Sequence, residues 1–161
     1  MASGTTRGID AVGWQLLRLL QEDARQSYAE LARQVGMSVP AVAERVRRME
    51  EAGIVTAYRA ELAPDKLGLE LTVFIELTTP PSQYKRFLAM AQKMPEIREC
   101  HHVTGSGSFI IKALIDGIRH LEPVVAKLGE FGETRTSIVM SSPVEKRVIE
   151  GGREPRDASR P

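Results

Sequence analysis

Between Ser38 and Met49 the sequence SVPAVAERVRRM places three arginines (Arg45, Arg47 and Arg48) and one glutamate (Glu44) within a span that reads as one short helix. Guanidinium groups clamp phosphates and pair bidentately with guanine in a major groove. At about 100° per residue, Val39, Val42, Val46 and Met49 form an inward stripe. Pro40, Ala41, Glu44, Arg47 and Arg48 then face outward, with Arg45 at the edge of that face. The small first turn of Ser38, Pro40 and Ala41 allows close approach to a duplex. On charge alone the same face also suits a solvated surface on a small three-helix scaffold, and both readings stay open. Other groups carry less chemistry. His101 and His102 are adjacent on an expected strand and point to opposite faces, and with Cys100 and His120 they match no strong zinc spacing. Gly105-Ser106-Gly107-Ser108 is not a phosphate loop, because no GK[ST] follows it and no helix begins there.

The elements that hold these residues fall into two kinds. Asp10 is a natural N-cap for a helix whose apolar residues Val12, Leu16, Leu19 and Leu20 recur at three- and four-residue steps. Ser27-Tyr28-Ala29-Glu30 has capping-box spacing, and Gly36 suits the left-handed position past the end of the second helix. Ser38 caps the third helix, with Pro40 tolerated in its first turn, and Gly53 is placed to stop it. Two such helices joined at Gly36-Met37 and followed by a strand read as a helix-turn-helix with a wing. After Gly53 the period changes. Residues 54–62 are expected to extend as a strand, and Leu71, Val73, Ile75 and Leu77 alternate on one face of the run 69–79. A helix at 84–94, strands at 97–104 and 109–115, a helix at 118–128 and a strand at 134–141 complete a βαββαβ, ferredoxin-like order. Leu, Val and Ile occur at both parities of several strands, so the face not covered by helices needs a partner, and a second copy is the simplest cover.

The expected fold is therefore α+β, with a winged helix-turn-helix at residues 1–53 and a hinge at 54–67. A ferredoxin-like assembly domain at 68–148, to which the family resemblance given below adds effector binding, and a polar, disordered tail at 149–161 follow. With 22 Lys and Arg against 21 Asp and Glu, the 161-residue chain has a net charge of +1, so a charged partner must be met by a local patch. A single cysteine excludes an intramolecular disulfide framework and fits a reducing compartment. No apolar run approaches the roughly 20 residues of a membrane span, and MASGTTRGID lacks the apolar stretch of a signal peptide. The expected setting is cytoplasmic, with no membrane partner, no metal and no cofactor.

Several stretches resemble one family. Ile9-Asp10, Leu16-Leu17 and Leu20 to Arg25 are similar to the opening of the Lrp/AsnC, or feast/famine, regulators. Tyr28 to Ser38 and Val42 to Val55 resemble that family's helix-turn-helix core. Ile97 to Cys100, Val103 to Gly105 and Thr134 to Met140 resemble its effector-binding module. The resemblance covers residues 8–148 and is most specific in its first half. It implies a transcriptional regulator, not an enzyme, that binds double-stranded DNA as a homodimer assembling into higher rings, commonly octamers. Its assembly or DNA affinity would be modulated by an amino acid or related metabolite. Under that reading Ser38, Ala41, Glu44, Arg45 and Arg48 lie near base edges, and Arg47 and the N-cap region lie on phosphate. The effector would meet Gly105, Ser106, Gly107 and Ser108 in the turn and Thr134 and Thr136 on the last strand. Many relatives have an aspartate in this turn where this chain has Ser108, and a tight hairpin needing glycine is the competing reading of GSGS. Two alternatives of other classes are a tetrapyrrole decarboxylase-like relative and an effector-only interaction module.

Overall fold

The computed structural model describes residues 9–151, which divide into two compact units. One comprises residues 9–60 with 144–151, and the other residues 61–143.

The first unit is built on three helices, α1 (Ala11–Glu22), α2 (Tyr28–Val35) and α3 (Val39–Glu51). Each begins on a polar cap. The Asp10 carboxylate accepts from the Gly13 N–H at 2.8 Å, satisfying a donor that the first helical turn leaves unpaired. At α2 the capping box is complete: Ser27 Oγ accepts from the Glu30 N–H, and the Glu30 carboxylate accepts from the Ser27 N–H at 2.7 Å. Gly36, at φ 67°, takes the left-handed turn that ends α2. Ser38 caps α3 by accepting from the Ala41 N–H. Leu16, Leu31, Val42 and Val46 are fully buried where the three helices meet. Each such side chain contributes on the order of 1.5–3 kcal/mol, which is how helices too short to stand alone hold together. Val39, expected on the inward stripe, is instead 44% exposed, because the first turn of α3 overhangs the core that Val42, Val46 and Met49 fill.

No strand follows α3 among the described residues of this unit, so the expected strand at 54–62 and its wing are corrected. An extended segment becomes a strand only by pairing its backbone, and among the described residues, 54–62 join no sheet. Of the expected tail, residues 152–161 lie outside the described residues. At residue 149, Ile149 exchanges two hydrogen bonds with the Gln21 side chain, at 2.9 and 3.1 Å.

The second unit is a four-stranded antiparallel sheet in the order β2-β3-β1-β4: β1 (Leu71–Thr78), β2 (Ile97–His102), β3 (Phe109–Ile115) and β4 (Glu133–Ile138). Helices α4 (Tyr84–Ala91) and α5 (Ile118–Gly129) supply the two crossovers, giving the βαββαβ order. Val73, Ile75 and Leu77 of β1 pair with Ala113, Ile111 and Phe109 of β3, and all six are buried with Phe87, Val124, Leu128 and Phe131. The opposite parity leaves Phe74 and Ile110 exposed on the other face. No helix among the described residues is long and apolar enough to cross a membrane.

Candidate nucleic-acid interface and effector turn

The structure gathers the charged residues of α3 into a lattice of exposed ion pairs. Glu44 sits between two arginines, with Arg47 Nη2 at 2.8 Å from its Oε1 one turn on and Arg48 Nε at 2.8 Å from the same oxygen. Arg47 also pairs with Glu51. These contacts follow from i,i+3 and i,i+4 spacing, which brings side chains onto one helical face. Arg45 reaches outside the helix to Asp10, Nη1 to Oδ1 at 2.8 Å, so the carboxylate that caps α1 also holds an arginine of α3. The two arginines beside Glu44 hold its carboxyl at about 2, well below the ordinary range, the Arg47 hydrogen bond acting most strongly. Arg47 is pushed further above its already high value by Glu44. Asp10 is lowered chiefly by its hydrogen bond to Arg45. These groups are therefore ionised at neutral pH.

Ser38 lies at the start of α3 with its hydroxyl used as the cap, and Ala41 stands half-buried one turn later. Arg47 and Arg48 are exposed, while Glu44 and Arg45 are half-buried at the rim of an open groove of about 630 Å³. Met37, Met49, Ile9 and Ile54 give that groove apolar walls, and Ala41 and Arg48 line it as well. Ala41, Glu44, Arg45 and Arg48 thus line one groove, with Arg45 next to the buried Met49, while Ser38 sits at the helix start and Arg47 lies outside the groove on the exposed flank. Sequence reasoning missed Asp10 and Glu51 as partners. The Arg47–Glu51 spacing was legible as an i,i+4 pair, whereas Asp10 and Arg45 are 35 residues apart and meet only through packing.

The second set is divided. Gly105, at φ 122°, takes a backbone conformation that favours glycine. Ser106 turns to the sheet face that the helices leave uncovered, where its Oγ donates to Glu76 Oε1 at 3.1 Å and its carbonyl accepts from Thr78 Oγ1. Gly107 packs so closely on Glu76 that an added Cβ would stand 2.5 Å from the glutamate Cγ. Ser108 does different work: its hydroxyl donates to the Thr79 carbonyl at 2.9 Å and accepts from the Thr79 N–H at 3.1 Å, tying the turn to the end of β1. Thr134 and Thr136 pair with Leu77 and Ile75, so they share the helix-covered face. The turn and Thr134 meet at one end of the sheet, since the Ser108 N–H donates to the Leu77 carbonyl, but Ser106 and the two threonines occupy opposite faces. Glu76 was not singled out from the sequence. Its signal was parity, as the one acid on the alternate face of a strand whose other face is Val73, Ile75 and Leu77. His102 stacks on Phe109 and Tyr84, while His101 faces the other way beside Glu99, in keeping with their adjacent positions.

Comparison with known proteins agrees with this layout. The AsnC-type helix-turn-helix domain matches residues 9–50, and the Lrp/AsnC ligand binding domain matches residues 72–149. The HTH-type transcriptional regulator LrpC of Bacillus subtilis is 30% identical over 83% of this chain and 92% of its own length. The leucine-responsive regulatory protein of Salmonella typhimurium is 35% identical over 83% of this chain and 86% of its own. Among solved structures, a transcriptional regulator from Neisseria meningitidis in complex with L-Met superposes with a TM-score of 0.81 at 26% identity, covering 87% of this chain and 95% of that one.

Proposed function

The chain belongs to the Lrp/AsnC family of transcriptional regulators, and from that premise we propose that it is a sequence-specific DNA-binding regulator controlled by an amino acid or related metabolite. One observation carries the DNA reading: α3 is capped at Ser38 and buries Val42, Val46 and Met49, and it leaves Arg47 and Arg48 exposed and Glu44 and Arg45 half-buried at the rim of the groove. Arg45 and Arg48 are assigned to base edges with Ser38, Ala41 and Glu44, and Arg47 to phosphate. A single helix with so few cations binds weakly, and a homodimer doubles the contacts and fixes half-site spacing. The exposed Phe74 and Ile110 offer an apolar surface for a second copy, and assembly to an octamer follows the family pattern.

The effector reading rests on the turn Gly105–Ser108 meeting Thr134 at one end of the sheet, with Thr136 two residues further along the same face of β4, and on relatives named for leucine response and bound L-Met. The place of action is the cytoplasm. The relatives are named as transcriptional regulators and not as enzymes, so the decarboxylase alternative has nothing to support it. The test is binding to duplexes selected from a random pool. Affinity should fall steeply as salt rises, and Arg45→Ala with Arg48→Ala should abolish selection while leaving assembly size unchanged. Normal binding by the double variant would remove the site assignment. A thermal-shift panel of the twenty amino acids and their catabolites tests the effector, since a bound ligand raises the melting temperature by mass action.

A further inference from the structure

The charge of the α3 face differs from what the helix sequence alone implies. Within residues 38–49 the cations exceed the anions, yet in the fold three guanidiniums meet three carboxylates: Arg45 with Asp10, Arg48 with Glu44, and Arg47 with Glu44 and Glu51. The surface offered to a duplex is therefore close to neutral. Glu44 is central to this balance, because one of its oxygens holds two arginines at once.

Solvent-facing pairs of this kind stabilise a protein little, so a phosphate can exchange for the carboxylate. The exchange leaves Glu44 ionised next to a polyanion with no cation to answer it. A duplex can relieve that charge only by presenting a hydrogen-bond donor at the same place. The major groove offers two amino donors, cytosine N4 and adenine N6, and cytosine N4 is the one a glutamate characteristically accepts from, since adenine N6 stands beside the acceptor N7 that suits an amide instead.

Resting on the DNA reading above, we infer that Glu44 is a specificity-determining counter-charge: it neutralises the α3 arginines when they are free, penalises phosphate contact at random sequence, and is best satisfied where the site offers a cytosine amino group. Asp10 does the same for Arg45 without reading a base.

The test compares wild type, Glu44→Gln and Asp10→Asn on two duplexes, one of random sequence and one selected by the wild type. Glutamine keeps the shape and one acceptor oxygen, and asparagine remains a good N-cap, so both variants should melt close to wild type. Glu44→Gln should bind the random duplex roughly three- to tenfold more tightly. Its salt slope should be steeper by about 0.9 for every further phosphate that each chain neutralises. Its preference for the selected duplex should fall, most at a C·G pair. Asp10→Asn should tighten random binding without changing which bases are preferred. Unchanged random affinity and salt slope in Glu44→Gln would overturn the inference while leaving the regulator reading in place. A wild type that binds no duplex at low salt would remove both.

Discussion

The α3 face and the Gly105–Ser108 turn are both polar sites, but their hydrogen bonds do opposite work. On α3 the partners are partly exposed carboxylates and guanidiniums, weakly enough paired for a phosphate to take the carboxylate's place, with the released carboxylate charge as the cost. At the turn, Ser108 satisfies both backbone groups of Thr79, whose own hydroxyl, in a buried residue, donates to the Phe131 carbonyl. Removing the Ser108 hydroxyl leaves a partly buried donor and acceptor with nothing to replace it. The first site is built to trade partners and the second to keep them. A ligand at the turn must therefore use Ser106, the glycine backbone and Glu76 before it can compete for Ser108.

The largest expected effect follows from the exchangeable side. Replacing Arg45 and Arg48 together with alanine should lower affinity for a selected duplex by about 100-fold or more, since each good base contact is worth about 1–3 kcal/mol. The melting temperature should barely move, and a large fall would mean that the pairs hold the fold rather than serve the duplex. Ser108→Ala should give the reverse pattern. It should cost about 1–3 kcal/mol of stability, read by urea unfolding, with duplex affinity unchanged at temperatures where the protein stays folded. Ser38→Ala lies between them, because its hydroxyl caps α3 in the free chain: a loss of about 0.5–2 kcal/mol is expected.

The smallest effect is a pH dependence in the second unit. His120 on α5 has Nε2 at 3.1 Å from Glu96 and Nδ1 at 2.9 Å from Asp116, and the Glu96 contact, followed by Asp116, raises its pKa above the ordinary 6.5. A raised imidazole pKa adds stability that is complete below the unfolded value and fades as pH rises through the folded one. The melting temperature should thus fall modestly from pH 6 to above neutrality, and His120→Gln should flatten that part of the profile.

Much of the first unit was legible because its signals are local. Asp10, Ser27 with Glu30, Gly36 and Ser38 all act within one turn of the chain, and each does what its spacing implied. The order of the second unit was legible too, since alternation and its breaks mark strands and crossovers one at a time. What was not legible depended on partners distant in sequence. Residues 54–62 have strand-like alternation, but a strand exists only where another backbone meets it. Thr134 and Thr136 share a face, yet which face depends on their register with Ile75 and Leu77, and Ser and Thr at both parities of β4 hide that choice. The neutralisation of Arg45 was likewise invisible, because Asp10 reads locally as a cap and nothing more.

The guanidinium groups themselves report most directly on whether α3 meets DNA. In ¹⁵N-labelled protein titrated with a selected duplex, the Nε–Hε signals of Arg45, Arg47 and Arg48 should shift together as the carboxylates release them, while the Arg119 signal on α5 stays in place. Saturable duplex binding with the three α3 signals unmoved would show that DNA docks elsewhere on the molecule.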